Sequence, residues 1–327
     1  MRRLILAAVL LIALGAASAS PAAAAGGTSP VPPPASPKVL VTLSFPDAFV
    51  VQGQPVSVAK RVLHLNGVVV PYAPGQSVVV RAFLGGRLFK SDRVNVVSAG
   101  RGSGRFSQPL SSPGVGAVTV QVAHSATPAL PAFSARARFA ALDERVSFGS
   151  RGRFVQLVQQ QLAALHFYIP QTGIYDQGTG LALDAYHRLL GWGTYQTLDA
   201  PTIGRLLDGY GAFQVRYPRD GKHAEGDIGK QLLALLHGSQ VDAIYPISSG
   251  KPSTPTILGR FRVYSKVPGY LPDGMYYSNF FYGGYAIHGY DPAPDYPASH
   301  GCMRLPIVDA TAVYRWINYG DRVDVYR

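Results

Sequence analysis

Two short strings near the C-terminus decide how this chain is read: Gly283-Gly284-Tyr285-Ala286-Ile287-His288-Gly289-Tyr290 and, nine residues on, Ser299-His300-Gly301-Cys302-Met303-Arg304. Cys302 is the only cysteine among 327 residues. A lone thiol cannot staple a fold through an internal disulfide or build a cysteine zinc site, which leaves its reactivity to explain it. A thiol attacks an acyl carbon as its thiolate, and a neighbouring imidazole takes and returns the proton. One histidine stands two residues before Cys302 and another fourteen before it. Spacing alone leaves open whether His288 or His300 is the base. Gly301 carries no side chain beside the nucleophile, so backbone N–H groups there are expected to face a developing oxyanion. Arg304 supplies a fixed positive charge suited to a substrate carboxylate.

Working outward, the same segment carries Tyr276, Tyr277, Phe280, Phe281, Tyr282 and Tyr285 ahead of His288. Such aromatics either floor a substrate cleft or fill a core, with Tyr276 and Tyr285 as the cleft candidates. No metal spacing appears among the eight histidines, and no cofactor is expected. Ser57-Val58-Ala59-Lys60 matches the S-x-x-K pattern of serine acyltransferases, but it lies in a strand-like run without a K-T-G partner and is set aside.

The texture changes along the chain. The first 25 residues read as a signal peptide: Arg2-Arg3, an apolar run over 4–14, then small residues with an A-x-A site. That run is too short to span a bilayer, so the mature form is expected to be exported with no membrane span. Residues 26–37 read as an Ala/Pro/Gly linker. From 38 to 142, β-branched runs at 39–43, 56–65, 77–83, 94–97, 115–122 and 133–139 predict a β-sandwich-like module, with turns at Asn66-Gly67 and Leu84-Gly85-Gly86. Residues 146–211 predict three helices, at 154–165, 179–189 and 201–207, the first with Val155, Val158, Leu162 and Leu165 on one stripe. Residues 212–327 return to strands and turns, with one helix at 307–317. The fold class is thus multidomain and mainly β. Its composition fits: 36 Gly and 26 Pro favour turns, and 47% hydrophobic residues exclude a disordered chain.

The net charge of +12 is unevenly placed. Residues 38–142 hold eleven basic and two acidic side chains, whereas 146–211 are neutral and 212–327 carry a small excess of +2. For an exported chain nucleic acid is not an expected partner, and an anionic wall polymer fits the β-module better.

The C-terminal strings resemble the catalytic domain of the L,D-transpeptidase (YkuD-type) family, whose motif is His-Gly followed by Ser-His-Gly-Cys and often Arg. The resemblance extends to Ile247-Ser248-Ser249-Gly250-Lys251-Pro252-Ser253-Thr254-Pro255-Thr256 and Gly259-Arg260-Phe261, and departs from the family at Ile257, where a second Pro is common. It implies a C-terminal β-rich catalytic domain over 212–327 that acts on peptidoglycan. It implies Cys302 as nucleophile, His288 as base, the Gly289 carbonyl as the group that orients the imidazole, and His300 with Ser299 shaping the oxyanion pocket. The reaction implied joins a tetrapeptide donor stem to the amine of an acceptor stem as a 3→3 cross-link, with carbapenems acylating the same thiol. Water as acceptor would make an L,D-carboxypeptidase, and a protein lysine an anchoring enzyme. A catalytically dead wall-binding protein is the non-enzyme alternative. A sortase-like or papain-like site fits less well, since a sortase places its His far upstream and its Arg several residues after the Cys. The helical segment resembles a small peptidoglycan-binding domain on Gly149-Ser150-Arg151-Gly152, Leu157, Gly173-Ile174-Tyr175-Asp176, Thr179, Ala185-Tyr186-His187 and Leu190-Gly191.

Overall fold

A computed structural model describes residues 38–327; the expected signal peptide and linker lie outside the described residues. Two compact units divide the chain near Asp143.

The first unit is a pair of sheets. One has the order β1-β4-β8-β7, built from β1 (Leu40–Ser44), β4 (Val62–Val70), β8 (Ser103–Ser111) and β7 (Val97–Gly100). The other runs β2-β3-β10-β9-β5-β6, from β2 (Phe49–Val51), β3 (Gln54–Val58), β10 (Phe133–Leu142), β9 (Gly116–His124), β5 (Ser77–Leu84) and β6 (Arg87–Asn95). Alternation along β4 and β9 turns Leu63, Leu65, Val69, Val118, Val120 and Val122 into one shared core.

Two readings of this unit need correction, and one strand lies where the sequence pattern shows none. The run at 56–65 is two strands, because Lys60 adopts a left-handed φ of 67° and the Arg61 N–H closes a turn on Val58 O; the chain passes there from one sheet to the other. Asn66-Gly67 is no turn but the middle of β4, with Gly67 opposite Leu43 on one side and Phe106 on the other. The glycine is there because the Phe106 ring occupies the space of a side chain: a Cβ would sit 2.0 Å from the ring. Strand β8 was not foreseen, since its Gly, Arg, Ser and Gln hide an inward alternation of Gly104, Phe106 and Leu110. Leu84-Gly85-Gly86 does turn, with both glycines at positive φ.

The outer face of the six-stranded sheet is basic. Register places Arg81 opposite Gln121 and Gln121 opposite Arg136, while Arg93 faces Val79 and Arg138 faces Thr119. All four arginines are exposed on the side away from Val78, Val80 and Ala82.

The second unit, 144–327, holds the helical segment and the C-terminal sheets together. The helices fall close to expectation: α1 (Arg153–Ala164), α2 (Gln177–Leu190) and α3 (Ala200–Leu207). Asp176 caps α2 by accepting from Thr179 N–H, Gly191 ends it at φ 72°, and Asp199 caps α3 with Pro201 in its first turn. Val155, Val158 and Leu162 are buried as the stripe predicts, while Leu165 lies half-buried at the helix end. Gln159, wholly buried, donates to Ile174 O and Thr179 Oγ1 and accepts from Gly173 N–H, which fixes the Gly-x-Tyr-Asp turn.

Segments 146–211 and 212–327, separate domains on the sequence reading, are knit together. The Tyr168 N–H donates to Ile244 O, the Ile244 N–H donates to His166 O, and the rings of Tyr168 and Tyr245 lie 4.8 Å apart between centroids at an angle of 30°. Beyond the helices, β11 (Lys222–Asp227), β12 (Leu232–His237), β13 (Gln240–Pro246), β14 (Gly259–Arg262) and β19 (Arg322–Tyr326) form a sheet ordered β13-β12-β11-β19-β14. A second sheet runs β15 (Ser265–Tyr270), β16 (Tyr276–Tyr282), β17 (Tyr285–Gly289), β18 (Met303–Leu305). The two share a core of Leu233, Leu235, Phe281, Ile287, Met303 and Val323, to which α4 (Ile307–Trp316) adds Val313. The molecule is therefore multidomain and mainly β. No helix of the described residues is long and apolar enough to cross a membrane.

Candidate active site

The site grows from one parallel strand pair. Strand β17 lies beside β18 with Ile287 opposite Met303, His288 opposite Arg304 and Gly289 opposite Leu305. Ile287 and Met303 are wholly buried in the core between the sheets. Side chains alternate along a strand, so the residues flanking them, His288 on one side and Cys302 and Arg304 on the other, project to the opposite face together. The register thus directs the residues singled out in the two strings to one face, although fourteen positions separate the thiol from the imidazole.

Residues 290–302 connect these parallel strands, and the upstream string 247–256 holds that connection. Ser248 exchanges both backbone hydrogen bonds with Arg304 at 2.9 Å, and Ser248 Oγ donates to Tyr296 O. The Ala298 and Ser299 N–H groups both donate to Ser249 O, while the Lys251 N–H and Thr254 Oγ1 donate to Ser299 O. The motif resemblance at 247–256 therefore has a mechanical meaning: it is the bed on which the Cys302 loop lies.

His288 is buried, and its Nδ1–H donates to Gly289 O at 2.9 Å. That bond fixes the tautomer and leaves Nε2 as the acceptor available to take a proton. Burial lowers the His288 pKa to about 4, helped by the Arg304 charge and opposed by the Gly289 bond. The Cys302 thiol, partly exposed, donates to Gly284 O at 3.5 Å. Burial pushes it above the ordinary thiol value, against the Ala286 backbone amide and Arg304. Both shifts favour uncharged groups. Burial thus favours a neutral thiol and a neutral imidazole at rest.

Other expected residues have changed jobs. Ser299 does not face a cleft: it is wholly buried, its Oγ donates to Cys302 O at 2.6 Å and accepts from the Gly301 N–H at 3.0 Å. Ser299 is a brace across the nucleophile turn, and the Gly301 N–H is spoken for rather than free for an oxyanion. Gly301 is still required, because its φ is +124° and a Cβ would lie 2.5 Å from the Tyr285 ring. His300 is exposed, with its Nε2 3.4 Å from the Lys251 ammonium. Arg304 stacks its guanidinium 3.9 Å over the Tyr290 ring, whose edge in turn meets His288 at 5.8 Å between centroids. The aromatics divide: Phe281 enters the core, Tyr282 is exposed, Tyr285 covers Gly301, and Tyr276 packs on Tyr270 at 4.4 Å and faces Gly289. Sequence reasoning overlooked Tyr290 and Lys251, although both stand inside the quoted strings.

Comparison with known proteins follows the same geometry. Residues 221–325 match the family model of the L,D-transpeptidase catalytic domain (YkuD). The crystal structure of an L,D-transpeptidase from Xylanimonas cellulosilytica is similar at 29% identity and a TM-score of 0.51, over 57% of this chain and 98% of that one. The NMR structure of the catalytic domain of an E. faecium L,D-transpeptidase matches at 26% identity and a TM-score of 0.30, over 33% of this chain and 98% of that one. No curated protein matches the chain. The C-terminal segment thus carries the fold of an L,D-transpeptidase catalytic domain, and the class of function that goes with it is transpeptidation.

The neutral pair has a measurable consequence. Alkylation reads the thiolate fraction, and a thiol above its ordinary value loses about tenfold in thiolate per pH unit below its titration. The iodoacetamide rate at Cys302 should fall continuously from pH 9 to pH 5. A plateau across that range would mean a thiolate–imidazolium pair and would contradict the assignment.

Proposed function

We propose that this protein is an exported cysteine L,D-transpeptidase that acts on peptidoglycan stem peptides through a Cys302 thioester. The observation that carries this reading is the register of β17 with β18, which sets His288 opposite Arg304 and Cys302 just before the paired Met303, with His288 Nδ1 committed to Gly289 O. Cys302 Sγ attacks the carbonyl of the third stem residue as its proton passes to His288 Nε2. The S–C bond forms, the C–N bond to D-Ala breaks, and the imidazolium returns its proton to the departing amine. The amine of a second stem then attacks the thioester, its proton passing through His288 to the thiolate, and a 3→3 cross-link results. Arg304, held flat on Tyr290, supplies positive charge beside the reacting carbon, while Tyr276 and Tyr285 border the cleft. The brace from Ser299 fixes the angle of attack. With water as acceptor the same site performs L,D-carboxypeptidase chemistry, and with a protein lysine it anchors proteins.

A second element of the reading concerns the β-module. Arg81, Arg93, Arg136 and Arg138 on one exposed sheet face support retention of the enzyme by an anionic wall polymer.

Two experiments test these proposals. Mass spectrometry of the protein after a carbapenem or a disaccharide-tetrapeptide should show one acyl adduct on Cys302, absent in Cys302→Ala. His288→Ala should slow acylation by about 10²–10⁴-fold, the usual worth of a general base, and His300→Ala by far less. Equal losses at the two histidines, or an adduct in Cys302→Ala, would contradict the roles given. For the β-module, binding of the whole protein to isolated walls should weaken between 0.1 M and 1 M salt, as the Debye length falls from about 10 Å to about 3 Å. The fourfold Arg→Gln variant of the sheet face should already bind weakly at 0.1 M; unchanged binding would remove charge as the cause.

A further inference from the structure

Arg188 stands on α2, outside the catalytic strings, yet it is buried and reaches into the bed of the Cys302 loop. Its Nη1 donates to Ile247 O at 2.8 Å and to Gln231 O at 3.1 Å, and its Nη2 pairs with Asp184 at 2.6 Å. Two hydrogen-bonded routes lead onward from those carbonyls. Along the first, Ile247 is followed by Ser248, whose backbone pairs with Arg304, two residues past the nucleophile. Along the second, the Gln231 side chain donates to Ser249 Oγ at 2.8 Å and accepts from the Ser249 N–H at 2.9 Å. Ser249 O in turn accepts from the Ser299 N–H, and Ser299 Oγ braces Cys302 O. Ser248, Ser249 and Ser299 are wholly buried, and Gln231 is nearly so. A second cation repeats the tie, as Lys230 Nζ donates to Leu189 O at the end of α2.

The energetics of Arg188 argue against a merely cohesive role. Burying an ion pair costs desolvation that its attraction repays only with complete hydrogen bonding. Here Arg188 Nε and Asp184 Oδ1 lack partners among the described residues, and burial pushes the Asp184 carboxyl up despite the guanidinium beside it. An apolar side chain would join helix to sheet with less penalty. What an apolar residue would not supply is a rigid fork that fixes two carbonyls at once.

We infer that Arg188 is a positioning residue for Cys302, so that the helical segment is a structural part of the catalytic centre rather than a detachable wall-binding unit. The inference rests on the reaction proposed above, and its test separates the two. In the full chain, Arg188→Met keeps the stem and removes both carbonyl bonds, Arg188→Lys keeps one cationic donor, and Asp184→Asn keeps the shape but frees the fork. Acylation by a carbapenem is followed to saturation, and hydrogen exchange of 296–304 is followed by mass spectrometry. Arg188→Met should lower the saturating rate about 10- to 100-fold, the scale of a displacement of roughly 1 Å at a reacting group. The concentration for half-saturation should stay within about twofold, with partial recovery in Arg188→Lys. Exchange in 296–304 should rise at least tenfold while β11 and β12 stay protected.

An overall loss of folding would instead reduce the titrated active fraction and leave the rate per active site unchanged, and Arg188→Lys and Asp184→Asn would then carry the decision. A wild-type saturating rate with wild-type exchange at 296–304 in any folded variant that lacks the fork overturns the inference. Should the unaltered protein fail to acylate, the proposed function falls, while hydrogen exchange still decides whether Arg188 holds the loop.

Discussion

The constraint on which the site depends is the parallel register of β17 with β18. A parallel pair needs a connection long enough to return the chain to the same end of the sheet, and 290–302 is that connection. One residue of slip would turn His288 toward the core and bring Ile287 or Gly289 to the reactive face. The register is defended from both sides. Ile287 and Met303 are locked into the core by burial, and Arg304 is paired through its backbone with Ser248 on the far edge. The catalytic geometry is thus paid for by packing, which is cheaper than holding a thiol and an imidazole together by their own attraction.

Burial has a second effect. It places both groups where charge is disfavoured, which raises the thiol and lowers the imidazole from their ordinary values. In the proposed reaction, proton transfer accompanies attack. A neutral thiol is slower to oxidise or exchange than a standing thiolate. Arg304 adds to burial at His288, where it opposes protonation, and works against burial at Cys302, where it favours the thiolate.

Much of this was legible in the sequence, and the exceptions share a cause. The helices were readable because an apolar stripe and a first-turn proline such as Pro201 act over a few neighbouring residues. The thiol, the imidazole and the Gly289 carbonyl were readable because they sit in one motif. What escaped depends on partners remote in sequence. Gly67 looks like a turn until Phe106 is known to fill its side-chain space. Ser299 looks like a polar cleft residue until its hydroxyl is seen between Cys302 O and the Gly301 N–H. The direction of the Cys302 shift follows from burial, which a motif does not encode. Arg188, in a helix that reads as part of a separate domain, gave no sign of the carbonyls it holds.

The proposed mechanism needs a neutral His288 whose proton sits on Nδ1, and nitrogen NMR of that ring reads this directly. With ¹⁵N-labelled histidine and assignment by His288→Gln, the ring should show a protonated Nδ1 and an unprotonated Nε2 at pH 7. It should remain so to pH 5, and titrate near 4. A ring protonated on both nitrogens at pH 7, or the opposite tautomer, would contradict the mechanism at its centre.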